Sequence, residues 1–199
     1  MRNYVRAVSG LLGMLVVSSG CQGLPTTEPT FPKDDVRAVR TAAQFDALVQ
    51  QAGRGERQPI KLAGRVVSVE VTDRGAVVLA TWLPFPRHTS LESAPSDSPS
   101  AQGRKFVFLF PGTIRDPFTP NGVYDPAAGW EGNRFLVEGA IAGAKTMTVD
   151  AVGEEKPLLS VTARCVHVWE TGQSERATQP DSHWAGSVAR TFCAAAGPR

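Results

Sequence analysis

Cys165, His167, His183 and Cys193 are the residues of this chain whose types could do chemistry together. Thiolates and imidazoles are zinc ligands, and two thiols outside the cytosol oxidise to a disulfide. Cys165 and His167 stand two apart in an apolar run, so on a strand they point to one face. The four lack the short paired cysteine spacing of structural zinc sites. The expectation taken forward is a Cys165–Cys193 disulfide and no metal; separate thiols and a zinc set stay open as alternatives. Asp116 and Asp125 each precede a proline. Two carboxylates could share acid–base work, but each is expected to cap its own turn. Tyr124, Trp130 and Trp169 lie beside loops and are candidate ligand-binding residues, because such rings stack on sugars or peptides. The competing reading is that they and Trp82 close the ends of a small core. His88 falls in a polar loop and is read as solvated. No Gly-x-Ser-x-Gly, Walker loop or His-Glu-x-x-His occurs, and the chain is read as non-catalytic.

The elements that must position these residues follow from periodicity. Thr41-Ala42-Ala43-Gln44 is a capping box. Phe45, Leu48, Val49 and Ala52 follow at helical spacing, predicting a short amphipathic helix that plugs the core and ends at Gly53-Arg54-Gly55. From Ile60 the period becomes two: Val67, Val69 and Val71 alternate with Ser68 and Glu70. Asp73-Arg74-Gly75 turns the chain into Ala76–Leu83. Pro84 to Gly103 is rich in proline and serine and reads as disordered. Lys105–Phe110 is apolar on both faces and reads as a central strand. Arg134–Ile141 and Leu158–Trp169 are two more strands, with Gly139 and Gly143 marking bulges or close backbone approach. Pro111 to Trp130 is broken by Pro-Gly, Asp-Pro and Asn-Gly, which exclude long regular structure. Ala185 to Ala195 reads as a weak helix. The fold expected is mainly β: a small closed barrel of five or six strands, like an oligonucleotide/oligosaccharide-binding (OB) barrel, with one short N-terminal helix.

A third thiol, Cys21, closes a different pattern. Arg2 and Arg6 precede an apolar run from Ala7 to Val17, then Ser18-Ser19-Gly20-Cys21. That is an export signal, too short to span a bilayer as a lasting helix. Its end resembles the lipobox of bacterial lipoproteins, with Ser18 where Leu, Val or Ile is usual. The resemblance implies cleavage before Cys21 and a covalent lipid on it, the one modification expected in place of a cofactor. Loss of residues 1–20 removes two arginines and no acid, leaving 19 basic and 19 acidic residues. A neutral mature chain excludes nucleic acid as a partner, which needs a concentrated basic face. It also leaves membrane attachment to acyl chains. The domains read as signal peptide 1–20, flexible tether 21–35, barrel 36–170 and polar C-terminal extension 171–199. Gln22, not Asp, follows the cysteine, which favours the outer membrane.

From Gly64 to Trp169 the chain resembles the Slp family of starvation-inducible outer-membrane lipoproteins. Gly64-Arg65-Val66-Val67-Ser68-Val69 opens the domain, and Gly103-Arg104-Lys105-Phe106 leads into the middle strand. Asp125-Pro126 is followed by Gly132, Gly139 and Gly143. Gly153-Glu154 precedes a last strand ending Val166-His167-Val168-Trp169. The resemblance implies a lipid-anchored, periplasm-facing barrel at the outer membrane. The expected role is a non-catalytic structural or interaction one in the envelope, with another envelope protein as partner. The alternative is a binding module for a glycan, peptide or lipid fragment.

Overall fold

The computed structural model of the chain describes residues 30–33, 36–87, 91, 93–114, 123–148, 155–169 and 189–194. Cys21, His88, Asp116 and His183 lie outside them. In chain order the elements are β1 (Arg37–Ala38), α1 (Ala42–Gly53), β2 (Pro59–Thr72), β3 (Gly75–Leu83), β4 (Lys105–Pro111), α2 (Pro126–Gly129), β5 (Arg134–Thr148), β6 (Glu155–Trp169) and β7 (Ala189–Cys193). Strands β2, β3, β4, β6 and β5 form one sheet, and β5 pairs back onto β2 to close it. All neighbours are antiparallel except β4 and β6. Numbered within the barrel, that order is 1-2-3-5-4-1, the Greek-key closure of an OB-like barrel. Closure removes the strand edges that a flat sheet of these apolar segments would expose.

Long strands bend into so small a barrel at glycines. Register shifts fall at Glu138/Gly139 and Ile141/Gly143. At Gly139 an added Cβ would collide with the Thr162 carbonyl, so β5 and β6 approach there as no other residue permits. Gly143 sits at φ +124°, a backbone state closed to most side chains, and bends β5 at the second register shift.

Alternation along each strand fills the interior with rings. Phe106, Phe108 and Phe110 of β4 point inward with Trp82, Phe135 and Trp130, and each is at most 2% exposed. The rings touch in sequence: Phe106 to Phe135 at 6.0 Å, Phe135 to Phe108 at 5.1 Å, and Phe108 to Trp130 at 6.4 Å. α1 plugs one end. Its Phe45 reaches Trp82 at 5.4 Å and Phe106 at 6.2 Å. The capping box at its start is formed, with Gln44 N–H donating to Thr41 Oγ1 and Thr41 N–H to Gln44 Oε1. Arg104 grips the helix from outside through both oxygens of Asp46, each at 2.9 Å. That guanidinium holds the Asp46 carboxyl below its ordinary value, with burial opposing.

Two sequence expectations give way here. Residues 185–195 were expected to be helical, yet Ala189–Cys193 is strand β7, antiparallel to β6. A ladder along Cys165–Trp169 outweighs weak local helix propensity. β7 also brings part of the 171–199 extension into the fold. The Pro84–Gly103 loop, expected to be disordered, is anchored to the barrel at several of its described residues, while others, such as Ser93, Ser96 and Gln102, are exposed. Phe85, Pro95 and Ala101 are buried. Asp97 accepts from Arg65 and Arg134 at 2.6–2.7 Å. The Leu91 carbonyl accepts from Trp169 Nε1 at 3.2 Å. The loop has too few apolar residues to collapse alone, but it has a barrel wall to lie on.

Truncating the plug tests this architecture. Phe45→Ala should lower unfolding stability by about 3–5 kcal/mol, the usual cost of removing a buried ring. Urea denaturation followed by tryptophan fluorescence reads it, and a loss below about 1 kcal/mol would mean the helix is not part of the core.

Candidate functional site

Trp130 and Trp169 do not form a ligand-binding face with Tyr124, and that expectation is corrected. Trp130 is fully buried and Trp169 is 1% exposed. They also lie on opposite sides of the barrel wall. Trp130 packs inward on Phe108 and, edge to face, on Phe110 at 6.4 Å. Trp169 pairs in register with Arg134 on the outer side and packs on His167 at 4.4 Å. Neither ring offers a free face for stacking; each closes a core. Tyr124 alone keeps part of its surface, stacked on Phe192 at 4.9 Å and on Trp130 at 6.2 Å. It lines a hollow of about 350 Å³ with Val71, Ile114 and Val123. Asp125, next to it, caps α2 through Ala127 N–H at 2.9 Å.

The outer wall of β2, β5 and β6 gathers the cysteine, histidine and charged residues. In-register rows place Lys61 beside Glu138 and Glu138 beside Cys165, with Leu136 beside His167. Cys165 is disulfide-bonded to Cys193 of β7. Glu138 is buried and accepts from Arg164, and Lys61 Nζ lies 3.4 Å from its other oxygen. Lys61 Nζ also donates to the Pro32 carbonyl at 3.0 Å. His167 Nδ1 lies 2.7 Å from Thr191 Oγ1, and Phe31 meets the imidazole edge-on at 6.4 Å. Its Nε2 is buried without a hydrogen-bond partner. Burial pushes the His167 pKa below its ordinary 6.5, and the Leu91 carbonyl opposes that shift without cancelling it. Among the described residues no three His, Cys, Asp or Glu side chains converge to hold a metal. This wall fastens the N-terminal segment and β7 to the barrel. An ion pair taken out of water needs such extra hydrogen bonds to offset desolvation.

The open surface lies elsewhere. On the outer face of β3, β4 and β6 a trough of about 310 Å³ runs from the β2–β3 turn to the bent end of β5. Val77, Leu109 and Thr162 form one cross-strand row of it, and Val107 pairs with Ser160 in the next. Arg74 and Lys145 are exposed on its walls. Sequence reading named Arg74 only as a turn residue and placed none of these residues in a site. The available signal was alternation: Phe106, Phe108 and Phe110 point inward, so Val107 and Leu109 must point out.

The wall yields two expectations. Cys193→Ser opens a bond spanning 28 residues of chain; it should lower stability by about 2–4 kcal/mol in denaturant melts, and no change under non-reducing conditions would show that the bond contributes nothing. Burial disfavours the charged form of His167 in the folded state, while the unfolded chain takes up a proton near pH 6.5. Its contribution is therefore complete above that value and is lost as pH falls from there through the lowered folded pKa. The urea midpoint should drop on acidification through this window, and His167→Gln should flatten the drop. Comparison of the chain with known protein families, with curated proteins and with solved structures finds no match to any of them.

Proposed function

We propose that the chain is an envelope lipoprotein of the Slp type. On this reading it is exported, cut before Cys21 and acylated there. It is held at the outer membrane facing the periplasm, with a non-catalytic structural or interaction role. The export signal, the cysteine that closes it and the family-like pattern from Gly64 to Trp169 support the reading. A neutral mature chain fits it too, because attachment then rests on several acyl chains rather than on charge.

One structural observation carries it furthest. The chain after Cys21 is not a long leash. Phe31 is 3% exposed against the β2/β5/β6 wall, and Lys61 holds the Pro32 carbonyl. Nine residues separate Cys21 from Phe31. Even fully extended they reach about 35 Å. An acylated Cys21 would thus hold one defined side of the barrel near the bilayer. Within the tether expected over 21–35, the described residues 30–33 include Phe31 and Pro32, which contact the barrel wall. A lipid anchor followed by a docked segment suits a protein that must present fixed faces to envelope partners.

A second reading, the periplasm-facing binding module for a glycan, peptide or lipid fragment, draws on the half-buried Tyr124 and its hollow. Titration with such ligands should then change the emission of the neighbouring Trp130. A flat response across all three classes would remove that reading.

The anchor is tested by fractionation of cells that make the full chain. Wild type should sediment with outer membranes and be extracted by detergent. Cys21→Ala should appear in the soluble periplasmic fraction. Membrane association that survives the substitution would refute lipid anchoring at Cys21.

A further inference from the structure

We propose that the trough on the outer face of β3, β4 and β6 is a binding site for an anionic polysaccharide. The site lies across the β2–β3 turn from the Tyr124 hollow, and it does not depend on the lipid anchor. Its floor is set by register. Val77 sits opposite Leu109 and Leu109 opposite Thr162, with Leu79, Val107 and Ser160 in the adjoining row. The alternate residues of the same strands, Val78, Phe108 and Val161, are in the main core. Leu79 and Leu158, packed by Met147, form a separate small apolar cluster on this outer side. The floor is therefore firm and partly apolar, with the hydroxyls of Ser160 and Thr162 set among aliphatic side chains.

The walls carry the charge. Arg74 comes from the tight β2–β3 turn, and Lys145 from the part of β5 beyond the Gly143 bend. Both are exposed, and neither is in an ion pair among the described residues. Asp73 is the acidic residue among the described lining positions, so the cations lead.

Those features select among ligand classes. An extended peptide would need a free strand edge, yet β3 lies between β2 and β4, and β4 between β3 and β6. An acyl chain would need an enclosed apolar cavity, and this floor bears hydroxyls and opens to water. Nucleic acid would need a broad basic face, and two cations beside an acid are too few. A sugar ring alternates C–H patches with hydroxyl edges, which matches aliphatic side chains interleaved with Ser160 and Thr162. A carboxylate or phosphate on that sugar gives Arg74 and Lys145 their partner, with Arg74 able to grip it through two donors. A volume of about 310 Å³ lies at the lower end of ligand sites. That fits a short stretch of a longer polymer.

The test uses the full chain in detergent solution and isothermal titration calorimetry. Polygalacturonate supplies carboxylates, phosphomannan supplies phosphates, and dextran is the neutral polymer. The variants are Arg74→Ala with Lys145→Ala, and Arg57→Ala as an exposed cation outside the trough. Wild type and Arg57→Ala should bind at least one polyanion with equal Kd, and dextran at least tenfold more weakly. The double variant should weaken polyanion binding at least tenfold while keeping the wild-type melting midpoint. Which polyanion binds tells carboxylate from phosphate. No binding of either polyanion by wild type, equal binding by the double variant, or equal binding of dextran would each overturn the proposal. None of these results bears on where Cys21→Ala fractionates, so the anchor and the trough stand or fall separately.

Discussion

A file of aromatic rings along the barrel axis holds this molecule together. It runs from Phe45 of α1 through Phe106, Phe135 and Phe108 to Trp130, and on to Phe192 of β7 at 5.7 Å. A five-stranded barrel has room inside for little more than one such file, so ring size and strand count must agree. Strands β4 and β5 supply the middle of the file, and α1, the residue that caps α2 and β7 supply its ends. Removing either end would expose large rings to water. That coupling explains why a short helix and a five-residue strand, neither stable alone, are fixed parts of the fold. The file has a cost, since the indole N–H groups of Trp82 and Trp130 are buried without partners. An unmade hydrogen bond costs about 1–3 kcal/mol, which burial of so much ring surface offsets.

The barrel has two kinds of outer face. Over β2, β5 and β6 the described N-terminal residues and parts of the 84–103 loop lie on the wall and β7 extends it at the β6 edge, so Glu138, Lys61 and His167 end up inside. Over β3, β4 and β6 the described residues leave the wall open, and Val77, Leu109, Ser160 and Thr162 reach solvent to differing degrees. The covered face sets how the domain is attached, and the open face sets what it can meet. This division follows from where β5 bends. Before Gly143 it is part of the closed wall, and after Gly143 it stands beside the trough.

The aromatics illustrate the limit of reading sites from residue type. Tyr124, Trp130 and Trp169 stand near loops, and such rings often touch ligands. Two of the three are instead consumed by packing, on opposite sides of one wall. Conversely, no single residue of the trough draws attention in the sequence. Valines, a leucine, two hydroxyls and two cations become a site only when three strands set them side by side.

Local pattern was enough for the parts of the fold that rest on local physics. The capping box at Thr41, the helical stripe at Phe45, Leu48 and Ala52, the Asp73-Arg74-Gly75 turn and the period-two strands are all written in adjacent residues. So is the mainly β barrel class, because five alternating segments with one break longer than a hairpin leave few alternatives. The glycine bulges in β5 were also legible, since glycine inside a strand has few other uses. What tertiary structure alone decided was everything that depends on a distant surface. Residues 189–193 are a strand because β6 offers them a ladder and Cys165 a thiol. The described parts of the proline- and serine-rich loop hold their place because a barrel wall lies beneath them. Trp130 and Trp169 face opposite ways because register, which no local signal specifies, assigns each to its side.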